Sequence, residues 1–219
     1  MIKKISYKDQ VYDYLKQAII MGEMKTSEIY SEQMIADKLK VSRTPVREAV
    51  LQLRFENLID VFSGRGFSVR PIHFFDVQQI IQARTAIEGA GLRALIIGLD
   101  TPKGQETLQQ MEKCVKQDMP AKLSDENNYS FMQLDKSFHM LSISFTGNEF
   151  FIQIMNMMQT RLEQAMFKAL DKQKRPRDAI GEHEKIYLAV SRRDTDGAIS
   201  ALADHMRMTE FILKEKMDD

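Results

Sequence analysis

A chain of 219 residues with 43% hydrophobic content can fill one large core or two smaller ones. Its 31 basic and 31 acidic residues cancel, which argues against a polycation that coats nucleic acid indiscriminately. The longest clean apolar run, 94–99, falls far short of the ~20 residues that span a bilayer, and the N-terminus lacks a secretory apolar stretch. With Cys114 as the only cysteine, no disulfide framework is expected, and a reducing cytoplasm is the expected compartment.

The charge is unevenly spread. Residues 1–70 hold 12 Lys+Arg against 9 Asp+Glu, while the remainder holds 19 against 22. A mildly basic N-terminal third joined to a mildly acidic remainder fits a nucleic-acid reader attached to something else.

In chain order, the spacing predicts a first helix over 8–21, with Val11, Leu15, Ala18 and Ile19 on one face and Gly22 ending it. Ser31 is the expected N-cap of a short helix over 32–39, with Ile35, Ala36 and Leu39 inward. Lys40-Val41-Ser42 is the turn before a third helix over 45–57, which carries Val46, Ala49, Val50 and Leu53 at core spacing. Thr44 can cap this helix and Pro45 suits its first position. Arg43 and Arg47 are four apart and share a face at its start. Short β-type stretches over 58–61 and 66–69 flank Ser63-Gly64-Arg65-Gly66, a tight hairpin tip. Three helices followed by a hairpin make a winged helix-turn-helix. Its third helix meets DNA, and Arg65 at the wing tip can enter a minor groove or hold a phosphate.

Residues 1–70 are therefore assigned to a DNA-binding domain and 71–73 to a linker, where Pro71 cannot continue a strand ladder. Residues 74–219 read as helices over 74–98, 103–118, 124–146, 148–171, 178–192 and 195–216. The breaks are Asp100-Thr101-Pro102, Met119-Pro120, Thr146-Gly147-Asn148, Arg175-Pro176 and Arg193-Asp194, short enough to predict an antiparallel all-α bundle. The fold class is thus mainly α.

Three of the four histidines fall in this bundle. Asp135 precedes His139 by four residues, so both leave one helix face. His183 lies eleven residues before Asp194 and His205 eleven after it, which puts them level across a helical hairpin. Asp135, His139, His183 and His205 are candidate ligands for a divalent transition metal, zinc first, with nickel or manganese as alternatives. The methionines 155, 157, 158 and 166 read as packing residues.

Two resemblances follow from these stretches. Residues 31–36, Val41-Ser42-Arg43-Thr44-Pro45-Val46-Arg47-Glu48-Ala49 and Gly64-Arg65-Gly66 resemble the GntR superfamily of bacterial transcription regulators. The resemblance implies base and phosphate contacts for Arg43, Thr44 and Arg47 and close approach of Gly66 to DNA, with Arg65 as a neighbour. The chain departs from the pattern at Thr26-Ser27, where Pro-Gly is usual, and at Gln33, where some members carry a DNA-contacting arginine. Phe131, Leu134, Asp135, Phe138-His139, Leu141, Gly147-Asn148, Glu182-His183 and Ile186 resemble the FCD ligand-binding domain of the FadR-type branch. Its metal-binding members place an Asp and three His at the positions of Asp135, His139, His183 and His205. The same resemblance aims Arg84 into the bundle beside the metal, with Glu88 orienting it or offsetting its charge. Asn148 is expected to cap the helix that follows or to touch the effector.

The expected protein is a homodimeric regulator that binds an operator in double-stranded DNA and responds to a small organic acid at the metal centre. It is not expected to be an enzyme or to meet a membrane. A sensor of the metal itself, or a metal-dependent enzyme acting on a small carboxylate, are the alternative readings.

Overall fold

The computed structural model describes residues 6–117, 125–169 and 175–217, and the chain divides into two compact units. The first, 1–72 with a short piece at 163–168, opens with α1 (Tyr7–Ile20), α2 (Glu32–Leu39) and α3 (Arg43–Phe55). Ser6 caps α1 by accepting from the Asp9 amide, and Ser31 caps α2 by accepting from the Met34 amide. Val11, Leu15, Ala18 and Ile19 of α1 pack with Ile35 and Ala36 of α2 and with Val46, Ala49, Val50 and Leu53 of α3 in one buried cluster. The expected core face of each helix is the buried one.

The start of α3 differs from expectation. The helix begins at Arg43, and Ser42 occupies the N-cap position without a side-chain cap bond. Thr44 therefore does not cap, and Pro45 falls at the third helical position. It sacrifices no hydrogen bond there, because the first four N–H groups of a helix have no partner inside it.

The wing is an antiparallel pair, β1 (Ile59–Phe62) and β2 (Gly66–Val69), in register from Ile59 opposite Val69 to Phe62 opposite Gly66. Tyr30 adds one bridge to Phe67, with backbone bonds of 2.7 and 2.9 Å. Gly66 has φ +120°, and a Cβ there would lie 2.2 Å from the Tyr30 carbonyl oxygen. Glycine is thus demanded twice at this position, by backbone angle and by contact.

The second unit holds α4 (Phe74–Ile97), α5 (Pro102–Val115), α6 (Asp125–Thr146), α7 (Glu149–Ala169), α8 (Arg175–Ser191) and α9 (Thr195–Met217). The expected break at Met119-Pro120 and the expected end of the 148–171 helix lie outside the described residues. The expected break at Arg175-Pro176 is instead the start of α8. Helix α4 packs on α6, α8 and α9, α5 on α6 and α8, and α8 on α9. The pairs α5 with α6 and α8 with α9 are antiparallel, but α4 and α6 run in the same direction: Glu88 meets His139, and one turn on Gly91 meets Ser142. A Cβ on Gly91 would lie 3.0 Å from the Ser142 carbonyl carbon, so glycine lets the two helices close on each other where the histidine projects.

Candidate DNA-reading surface and candidate metal centre

On α3, the Arg43 and Arg47 side chains are 57% and 64% exposed, and Thr44 between them is also exposed. Both arginines reach one carboxylate, that of Glu32 at the first position of α2. Arg43 donates from Nη2 to Oε2 at 3.2 Å, and Arg47 donates from Nε to both oxygens at 3.3 Å. Glu32 was not legible as part of this surface. Its only signal is a lone acid opening the helix that faces two arginines. Gln33 is exposed and donates to Asp37. Arg65 projects from the exposed wing tip, while its amide donates to the Phe62 carbonyl and closes the loop. Gly66 is half-buried against Tyr30, so what this position shows is a structural demand of the wing.

In the helical unit, Asp135, His139, His183 and His205 are all buried, and one ligand atom from each lies within 4.8 Å of the others. The two helical spacings bring them together as expected. Asp135 and His139 leave α6 one turn apart. The Arg192–Asp194 turn, whose Asp194 carboxylate accepts from the Gly197 amide, folds α9 back along α8 and sets the His183 and His205 rings 4.7 Å apart. His139 Nε2 lies 3.1 Å from both His183 Nε2 and His205 Nε2. Asp135 Oδ1 stands 3.4 Å from His183 Nε2 and 3.7 Å from His139 Nε2.

Two carboxylates hold the far sides of these rings. His139 Nδ1 is 2.6 Å from Glu88 Oε2, and His205 Nδ1 is 2.7 Å from Glu182 Oε2. An ionised carboxylate only accepts, so each Nδ1 carries the hydrogen and donates. The two Nε2 atoms then point lone pairs at each other across 3.1 Å. Two acceptors that close repel unless a cation or a proton lies between them. Carboxylate-anchored imidazoles whose free nitrogens converge are the arrangement of metal-bound histidines. The donor set therefore fits a divalent transition metal. Phe138 stacks on His183 with ring centroids 4.4 Å apart and fixes the third ring.

Ionisation follows the same geometry. Burial pushes the His205 imidazole down to about 3, and the neighbouring His183 and His139 add to that against the Glu182 hydrogen bond. Burial alone would raise Glu88. The Arg84 guanidinium and His139 overcome it and hold the carboxyl at about 2. Burial likewise works against ionised Asp135, yet His139 and His183 hold it well below the usual carboxylate range.

Arg84 is buried and donates from Nε to Glu88 Oε1 at 2.7 Å. It is thus two hydrogen bonds from the His139 ring. Its Nη2 is buried with no hydrogen-bond partner among the described residues. Glu88 does more than offset Arg84, since its second oxygen orients His139. Asn148 takes the capping role alone: its side-chain oxygen accepts from the Phe150 and Phe151 amides at the start of α7. It stands nine residues beyond His139, ~13 Å along the helix direction, and the structure does not bring it to the cluster. The void lined by Glu88, Phe138, His139 and Ser142 is only about 10 Å³. A larger cavity of about 360 Å³ between α8 and α9 is lined by Glu182, His205, Lys185, Asp204 and Met208.

A winged helix-turn-helix on one chain with a helical bundle that buries a histidine–carboxylate cluster is the build of a DNA-binding transcription regulator. Residues 7–69 match the gntR family of bacterial regulatory proteins, and residues 79–208 match the FCD domain. The chain belongs to the gntR family, in the branch that carries an FCD domain. It is 24% identical to the HTH-type transcriptional regulator YdhC of Bacillus subtilis, over 99% of this chain and 95% of that protein. It is also 24% identical to the HTH-type transcriptional repressor RspR of Escherichia coli, over 90% and 85%. The structure of E. coli McbR/YncC superposes with a TM-score of 0.76 at 19% identity, covering 97% of this chain and 99% of that one. YdhC and RspR are transcription regulators, not enzymes. Among the described residues no helix is long and apolar enough to cross a membrane.

Proposed function

We propose that this regulator binds its operator through residues 1–70 and adjusts that binding when a small organic acid is held at a divalent metal centre in residues 74–219, with 71–73 as the linker. Arg43, Thr44, Arg47, Arg65 and Gln33 face the DNA in this reading, and Gly66 shapes the wing. A homodimer in the cytoplasm presents two such surfaces to two half-sites.

The observation that carries the effector reading is the convergence of three imidazole Nε2 atoms and Asp135 beside a buried guanidinium with an unpartnered Nη2. Asp135, His139, His183 and His205 would hold the metal, which would supply Lewis-acid positions for a carboxylate. Zinc suits the nitrogen-rich donor set best. Arg84, fixed by Glu88, offers two-point pairing to the same class of ligand. A sensor of the metal alone would have no use for that guanidinium. A void of about 10 Å³ is smaller than any organic acid, so binding must move side chains, with the α8/α9 cavity as the open approach. A ligand that binds one arrangement and not another shifts the balance between them. A full switch needs affinities that differ by roughly 10⁴-fold, about 5.5 kcal/mol.

The test is a thermal-shift screen of small carboxylates against zinc-loaded protein. A true effector at 100 times its dissociation constant adds about 2.7 kcal/mol of stability. That shift should vanish in Arg84→Ala and after chelation. Elemental analysis of His183→Ala should show lost metal. Full metal content in that variant would refute the four-ligand centre.

A further inference from the structure

The structure assigns a role to Glu32: it is the positioning residue that aims Arg43 and Arg47 at DNA and so sets sequence discrimination. This role rests on the DNA-reading assignment above. One carboxylate meets both arginines, through Nη2 of Arg43 and Nε of Arg47. The burial is graded. The Glu32 side chain is 18% exposed, against 57% and 64% for the arginines. The carboxylate is therefore the sheltered partner and the two arginines stay open to solvent, so it holds them while most of their surface remains available.

The atoms used matter. Holding Arg47 by Nε leaves its two terminal nitrogens free, and these are the pair that can fork to O6 and N7 of a guanine. Contacts of 3.2–3.3 Å are longer than the roughly 2.7–2.9 Å of tight charge-assisted bonds. The hold orients the arginines yet leaves their charge available to the duplex. Glu32 opens α2, where the helix N-terminus favours a negative charge, so the carboxylate is itself held in place. Long arginine side chains lose rotamer freedom on binding, and pre-orientation removes part of that loss. It does so only for a base pattern that fits the fixed forks. Non-specific binding, which needs charge alone, gains nothing from Glu32 and is opposed by it.

The test uses full-length protein, the duplex that wild type enriches from a random-sequence DNA pool, and an unrelated duplex of equal length. Glu32→Gln should bind the enriched duplex about tenfold more weakly, the loss expected for one well-formed base contact. It should bind the unrelated duplex as tightly as wild type or more tightly. Glu32→Asp keeps the charge but cannot reach both arginines, and it should lose discrimination as well. Asp13→Asn removes an exposed acid from α1 of the same unit and should leave the ratio unchanged. Unchanged ratios in both Glu32 variants would overturn the assignment, as would parallel loss on both duplexes, which marks a scaffold role. If wild type enriches no duplex at all, the DNA-reading assignment falls first and this role falls with it.

Discussion

Glu88 carries two jobs with its two oxygens, one on Arg84 and one on His139. Replacing it by Gln leaves a buried guanidinium without its counter-charge and one acceptor oxygen for two donors, so the Arg84 and His139 bonds cannot both be kept. The first loss should destabilise the fold by about 3–5 kcal/mol, the range for breaking a buried pair. The second should weaken metal binding by roughly 10–100-fold. Glu182 anchors His205 in the same way, but its side chain is 17% exposed and water can replace the bond. Glu182→Gln should therefore weaken metal binding while stability changes by less than about 1 kcal/mol. Zinc titration against a competing chelator, paired with urea unfolding, separates the two effects. Wild-type zinc affinity in Glu88→Gln would remove Glu88 from the site.

The wing depends on a glycine that its partner strand does not explain. Tyr30, on the segment before α2, closes on Gly66 from outside the hairpin. Gly66→Ala must both adopt φ +120° and push the Tyr30 carbonyl away, so a loss of about 1–3 kcal/mol is expected, with weaker DNA binding as the wing shifts. Gly64 has φ +70° and open space at its Cβ, and Gly64→Ala should cost only about 1–2 kcal/mol and leave β2 in place. Amide hydrogen exchange at Phe67, whose N–H donates to Tyr30, reads the difference. Equal protection of Phe67 in the two variants would contradict it. The sequence showed the tip glycines as turn residues, because turn chemistry is local, but a carbonyl from 36 residues away leaves no local trace. The same divide runs through the bundle. Helical periodicity and the equal spacing about Asp194 made the two pairs legible, Asp135 with His139 and His183 with His205, and the FCD resemblance joined them into one cluster. The second oxygen of Glu88 was not legible, since short loops order only sequential helices and say nothing of α4 lying parallel to α6. At α3, Thr-Pro resembled a cap and first residue, yet the extended backbone at Ser42 starts the helix two residues earlier.

For the whole molecule, the buried cluster makes acid the direction of instability. His205 is neutral when folded, with its pKa pushed down from 6.5 to about 3, so unfolded chains take up a proton that folded ones refuse across that interval. Stability conferred by this group is complete above 6.5 and declines as pH falls toward 3, by about 1.4 kcal/mol per unit. Glu88 adds the same sign lower down, since its depressed pKa is lost as a source of stability between 4.5 and about 2. Asp135 also adds to it, below the ordinary carboxylate range. Chelated protein should thus melt at steadily lower temperature from pH 6.5 to 4, while His205→Gln flattens the upper part of that slope. Zinc should steepen it, because protons and metal compete for the same Nε2 atoms. Calorimetry at several pH values, with and without chelator, distinguishes these cases. A melting temperature that is flat between pH 6.5 and 5 in the chelated protein would mean that His205 is already protonated in the fold. The lone pairs facing each other across the cluster would then be bridged by a proton, and the argument for a metal there would lose its footing.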